Sequence, residues 1–161
     1  MDYINFLDNI FLNLKDIGID VDKYVLDHVA YRATTDQQFK KISDQLKILG
    51  KKIHRITIRN RYVDIYRLND PIKYLQRTIE FIELLAPAEG DNFKEGLEHV
   101  EFIIDDLNLH DFVKKYNSLD WNVNSIDRKI GAEVGIKFKN GANIKFKTMS
   151  MPEIIRLESE R

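Results

Sequence analysis

The sequence predicts an α+β fold built from two copies of a strand, helix and three-strand (βαβββ) module, with a helix at each end. Three observations carry that expectation. Leu26-Asp27-His28-Val29 recurs as Leu97-Glu98-His99-Val100. Each copy opens a strand-like run, Val29-Ala30-Tyr31-Arg32 in the first and Glu101-Phe102-Ile103-Ile104 in the second. Each run is followed by a helical pattern and then by further strand-like runs.

The elements follow in order. Tyr3, Phe6, Leu7, Ile10, Phe11, Leu14 and Ile17 have helical spacing, with Gly18 as the stop. This helix precedes both repeats and is expected outside them. Leu26 to Thr34 reads as a strand. Phe39, Ile42, Leu46 and Leu49 mark a helix closed by Gly50. Ile53 to Arg59 and Arg61 to Leu68 alternate on either side of Asn60, which predicts a hairpin. Pro71 marks a loop, and Thr78 to Leu85 is a third strand, ended by Pro87 and Gly90.

Leu97 to Ile104 restarts the cycle. Leu109, Phe112, Val113, Tyr116 and Leu119 form a second helical stripe. A short strand is expected around Val123 to Ile126. Val134 to Phe138 and Ile144 to Lys147 alternate across Asn140-Gly141, a hairpin signal. Pro152 suits the first turn of a last helix carrying Ile154, Ile155 and Leu157.

Four strands cannot bury a face alone, so the halves are expected to join edge to edge or face to face. The reading is one domain over residues 1–161. Residues 1–25 hold the N-terminal helix, 26–85 the first module, 97–148 the second and 151–161 the C-terminal helix. Residues 86–96 are too short for an independent linker.

Composition narrows the function. The 161 residues carry 43% hydrophobic side chains, enough for one good core. A net charge of -1 gives no bias toward nucleic acid. With no cysteine, disulfides, thiolate catalysis and Cys-ligated zinc are excluded, which fits a cytoplasmic location. Asp8 and Asn9 interrupt the first apolar run, so no signal peptide is expected. No apolar run spans a bilayer. There is no phosphate loop, nucleophile elbow or zinc-protease motif.

The chemistry gathers on three strand residues. Alternate side chains share a strand face, so His28 goes with Ala30 and Arg32, His99 with Glu101, and Glu83 with Phe81. A charged Glu83 within Phe81-Ile82-Glu83-Leu84-Leu85 is costly to bury unless paired or bound to a cation. Two imidazoles and a carboxylate suit Zn²⁺ or another divalent transition metal. A lone strand histidine is more often a hydrogen-bonded core or surface residue; two at equivalent repeat positions shift that balance. His54 and His110 lack a repeated context and are not expected to be ligands. Arg32, Arg59 and Arg61 could hold an anionic substrate, with surface salt links as the alternative. Tyr62 and Tyr66 share a face and are expected to pack. Trp121 is expected in the core or an interface.

A duplicated module of this kind resembles the vicinal oxygen chelate superfamily (glyoxalase, bleomycin resistance and dioxygenase proteins). Within it the chain looks like the YecM family. The match is carried by Leu26-Asp27-His28, Arg61 with Ile65-Tyr66-Arg67-Leu68, Phe81-Ile82-Glu83-Leu84 with Ala86-Pro87, Glu95-Gly96-Leu97-Glu98-His99-Val100-Glu101-Phe102 and Ile144-Lys145-Phe146-Lys147.

The resemblance implies curved sheets around a shared cavity holding one divalent ion (Zn, Fe, Mn or Ni), with metal ligands His28, Glu83 and His99. A fourth ligand, often histidine, is implied at the place of Lys147, where this chain departs. The ion would hold two oxygens of a small substrate and stabilise an enolate-like or oxyanion state as a Lewis acid. Glu101 is the candidate base or fourth ligand, and Arg32, Arg61 and Lys147 are candidates for binding an anionic substrate. Isomerase, lyase and dioxygenase-like chemistry all remain open. The rival expectations are a non-catalytic ligand-sequestering protein with a degenerate metal site, favoured by Lys147, and an interaction protein docking through its N-terminal helix. The expected partner is a small, anionic molecule, without nucleic acid or membrane.

Overall fold

The computed structural model describes residues 1–58, 60–88, 90 and 94–160. Among these described residues four helices and eight strands follow one another as α1 (Tyr3–Asp16), β1 (Val25–Arg32), α2 (Asp36–Leu49), β2 (Gly50–Ile58), β3 (Arg61–Tyr74), β4 (Arg77–Leu85), β5 (Gly96–Ile103), α3 (Leu109–Lys115), β6 (Asn122–Ser125), β7 (Glu133–Lys137), β8 (Asn143–Lys147) and α4 (Met151–Ser159). The strands lie in the order β2-β3-β4-β1 in one set of four and β5-β8-β7-β6 in the other. The chain divides into two compact units, one comprising Met1 and His28–Glu98, the other Asp2–Asp27 and His99–Arg161.

In the first unit β1 pairs in parallel with β4, and β2, β3 and β4 run antiparallel. Thr35 caps α2, its side chain accepting the Gln38 N–H. Ala30, Val63 and Leu85 form a buried cluster packed by Ile56 and Ile58. Asn60 adopts a positive φ of 62° at the predicted hairpin. One expectation holds with an addition and one changes. Gly50 caps α2, its N–H donating to the Leu46 carbonyl, with an extended backbone at φ -172°. It opens β2, and a Cβ there would collide with the Arg67 carbonyl, so glycine is needed for close approach of β3. Pro71 lies inside β3, not in a loop. The β2 partners of β3 stop at Leu68, and the β3–β4 register shifts between Arg67 and Ile72. A residue without an N–H is tolerated there because one edge is open and the ladder is already broken.

The second unit repeats the pairing. β5 pairs in parallel with β8, and β6, β7 and β8 run antiparallel. Its core is aromatic: the Phe146 ring lies 4.7 Å from Phe112, 5.8 Å from Phe102 and 5.9 Å from Trp121, centroid to centroid. Phe11 of α1 meets Phe102 edge-on at 6.0 Å. Gly141 has φ 91° at the Asn-Gly hairpin, where the Phe138 N–H donates to the Ala142 carbonyl at 2.8 Å. α3 ends at Lys115, short of the predicted stripe. Asn117 and Ser118, which favour turns, follow, and the Tyr116 and Leu119 amides bond in turns.

α4 starts at Met151 with Ser150 as its cap and Pro152 in its first turn. No helix among the described residues is long and apolar enough to cross a membrane.

Candidate metal centre

β1 and β4 bring His28 and Glu83 together. In the parallel register Phe81 sits opposite His28 and Glu83 opposite Ala30. His28 and Ala30 share a face, and the short Ala30 leaves room for the carboxylate. The result is a buried imidazole whose Nε2 lies 3.5 Å from Glu83 Oε2. β5 does the same on one strand. His99 and Glu101, two residues apart, both point to one face, and His99 Nε2 lies 3.5 Å from Glu101 Oε1. Both side chains are buried.

Each unit thus sets a buried imidazole nitrogen beside a carboxylate oxygen, His28 with Glu83 in the first and His99 with Glu101 in the second. The donor chemistry suits a divalent cation. Two ligands of one tetrahedral ion, each about 2.0–2.2 Å from it, lie roughly 3.4 Å apart. The two imidazole–carboxylate separations match that edge and exceed the usual hydrogen-bond length.

Buried ion pairs surround Glu101. On β8, Ile144 and Phe146 alternate with Lys145 and Lys147, and the apolar pair enters the core. Lys147 Nζ is out of solvent, 2.7 Å from Asp27 Oδ2 and 3.1 Å from Glu101 Oε2. Lys145 Nζ lies 3.3 Å from Glu101 Oε1 and 3.1 Å from both oxygens of Glu133. Burial, and then the charge of Glu101, push the Glu133 carboxyl above its ordinary value. Glu133 and Lys145 line a small pocket with Asn122, Ser125 and Asn143.

The other predicted residues are placed as follows. Arg32 is buried, and its guanidinium donates from Nε to Glu98. Arg61 is half-buried at the start of β3, opposite Ile58. Arg59 lies outside the described residues. His110 is exposed and paired with Asp127 at 2.9 Å. Tyr66 is buried, sharing a 2.8 Å hydrogen bond with Ser43, while Tyr62 is exposed, with Arg55 over its ring. Trp121 donates to the Tyr116 carbonyl at 2.9 Å.

Asp27 and Glu133 were not anticipated. The signal for Asp27 lay in the repeat, since the acidic residue before each histidine binds a buried cation: Asp27 takes Lys147 and Glu98 takes Arg32.

The YecM protein family model matches residues 1–154. The chain belongs to the YecM family. This YecM-family chain is also 26% identical, over 106 residues, to an uncharacterised protein of Haemophilus influenzae. That match covers 64% of the chain, which spans little more than half, 56%, of the relative. Among solved structures, a structural-genomics protein aligns with TM-score 0.80 at 20% identity, covering 96% of this chain and 87% of its own. The methylmalonyl-CoA epimerase of Mycobacterium tuberculosis aligns with TM-score 0.53 at 15% identity, covering 76% of this chain and 85% of its own. A methylmalonyl-CoA epimerase bound to methylmalonyl-CoA and NH4+ aligns with TM-score 0.53 at 13% identity, covering 81% and 96%. The YecM chain therefore has the fold of the vicinal oxygen chelate superfamily, and at these identities the likeness concerns fold alone.

Proposed function

We propose that the protein binds one divalent metal ion (Zn, Fe, Mn or Ni) through His28, Glu83 and His99, with Glu101 as fourth ligand or base. On this reading it acts in the cytoplasm on a small, anionic, oxygen-chelating molecule, by isomerase, lyase or dioxygenase-like chemistry. The observation that supports the reading is that each unit sets a buried imidazole 3.5 Å from a carboxylate, His28 from Glu83 and His99 from Glu101. A bound ion would supply Lewis acidity toward the substrate's oxygens. The chain's own residues do the rest. The imidazoles and carboxylates fix the site, and apolar strand neighbours exclude water. On this reading Arg32, Arg61 and Lys147 are the candidates for an anionic group of the substrate.

The test is elemental analysis of freshly purified protein, then titration of chelator-stripped protein with each of the four metals. One ion per chain, lost in His28→Ala and His99→Ala, is the expected result. No stoichiometric binding of any of the four would sink the reading.

A second reading, ligand sequestration without turnover, is favoured by the buried Lys147 at the place where the family resemblance implies a fourth ligand. Recovery of an unchanged small molecule from purified protein would support it over catalysis.

A further inference from the structure

Within the second unit five charged side chains alternate in sign: Asp27, Lys147, Glu101, Lys145 and Glu133, with successive contacts of 2.7, 3.1, 3.3 and 3.1 Å. The two oxygens of Glu101 have different surroundings. Oε2 faces Lys147, whereas Oε1 faces His99 Nε2 and Lys145. Lys145 has an alternative acceptor in Glu133, and is partly exposed. Lys147 is held more firmly. It is 1% exposed, and its other partner Asp27 is itself fixed, because Asp27 Oδ1 accepts the Met151 N–H at the start of α4. A buried ammonium between two carboxylates cannot leave them without exposing uncompensated charge.

We propose that Lys147 is a positioning residue: anchored by Asp27, it holds Glu101 Oε2 and so keeps Oε1 turned toward His99 as a ligand for the ion. This rests on the metal reading above. Lys147 itself does not touch the ion. It lowers the freedom of a flexible glutamate, so that less ordering remains to be done when the ion binds.

The opposite expectation is simple repulsion, in which a nearby positive charge only weakens cation binding. The two differ in sign. Cobalt(II) titration of the metal-free full chain, followed by visible absorption, separates them. Lys147→Met and Glu101→Gln should each weaken Co²⁺ binding by about tenfold or more (a tenfold change corresponding to about 1.4 kcal/mol). Both should alter the visible band in the same way, and the double variant should bind no more weakly than Glu101→Gln alone.

Unchanged or tighter binding in Lys147→Met, or additive losses in the double variant, would overturn the proposal. If Lys147→Met does not fold, Asp27→Asn combined with Lys147→Met removes both partners and is read the same way. A merely structural role would lower the melting temperature of metal-free protein without altering the cobalt band, and that result also overturns it. Wild type that binds no Co²⁺, Zn²⁺, Fe²⁺, Mn²⁺ or Ni²⁺ defeats the metal reading and this inference together; wild type that binds while Lys147→Met is unaffected defeats only the inference.

Discussion

Lys147 of β8 and Asp27 of β1 form a buried ion pair, 2.7 Å from Nζ to Oδ2. Removing one partner leaves the other charge stranded in a low dielectric. Lys147→Ala should cost about 3–5 kcal/mol of stability. Replacing both, as Asp27→Asn with Lys147→Met, should restore at least half of that loss. Urea denaturation of the three proteins checks it. A double variant no more stable than Lys147→Ala would show that the pair is not what the fold depends on.

The metal reading has a thermal signature. An ion that binds only the native state stabilises it by about 2.7 kcal/mol at a free concentration 100 times its dissociation constant. Adding chelator to metal-loaded protein should lower Tm, and His28→Ala should abolish the difference. Equal melting curves for loaded and stripped wild type would count against it.

Tyr31 sets an alkaline limit. Burial first, and then its 2.9 Å hydrogen bond to Glu95, push its pKa from 10.0 up to about 12. The native state therefore keeps a proton that the unfolded chain releases near its ordinary value. The stabilisation is complete below about pH 10 and is lost as pH rises toward 12. Tyr31→Phe should flatten that part of the stability profile. A profile unaltered between wild type and variant over this window would refute the assignment.

Gly50 should resist substitution. Its φ is available to any residue, but a Cβ has no space against the Arg67 carbonyl and Leu68. Gly50→Ala should destabilise by about 1–3 kcal/mol through separation of β2 from β3. Gly18→Ala, with open space around it but φ 72°, should act through backbone strain alone, at about 1 kcal/mol. Denaturant midpoints of both variants would settle the comparison.

Much of this was legible in the sequence. Alternation and the Leu-acidic-His-Val repeat located β1 and β5, and helical spacing located α1 and α2. Asn60 and Asn140-Gly141 marked hairpins that the structure contains. What spacing misses has one cause. Pro71 reads as a loop but lies in β3, and Gly50 closes α2 as expected but also opens β2; both further roles depend on what lies across the sheet, a broken register for one and a neighbouring carbonyl for the other. The same limit applies at the site. His28, Glu83 and His99 stand out by their repeat or their apolar context. Asp27 and Glu133 acquire meaning only through Lys147 and Lys145, partners that strand pairing supplies and residue spacing does not.

The parallel pairs β1–β4 and β5–β8 have a kinetic consequence. His28 meets Glu83 only after α2, β2 and β3 have been laid down between them, and Lys147 meets Glu101 only after α3, β6 and β7. Such pairings close long loops and give the chain a high contact order, which slows folding. A competent ion site should thus be among the last features to mature during refolding. In stopped-flow refolding with Co²⁺ present, the visible band should lag behind the far-ultraviolet signal; a band rising together with the first helical signal would mean that the ion recruits these strands early and guides the chain instead of waiting for it.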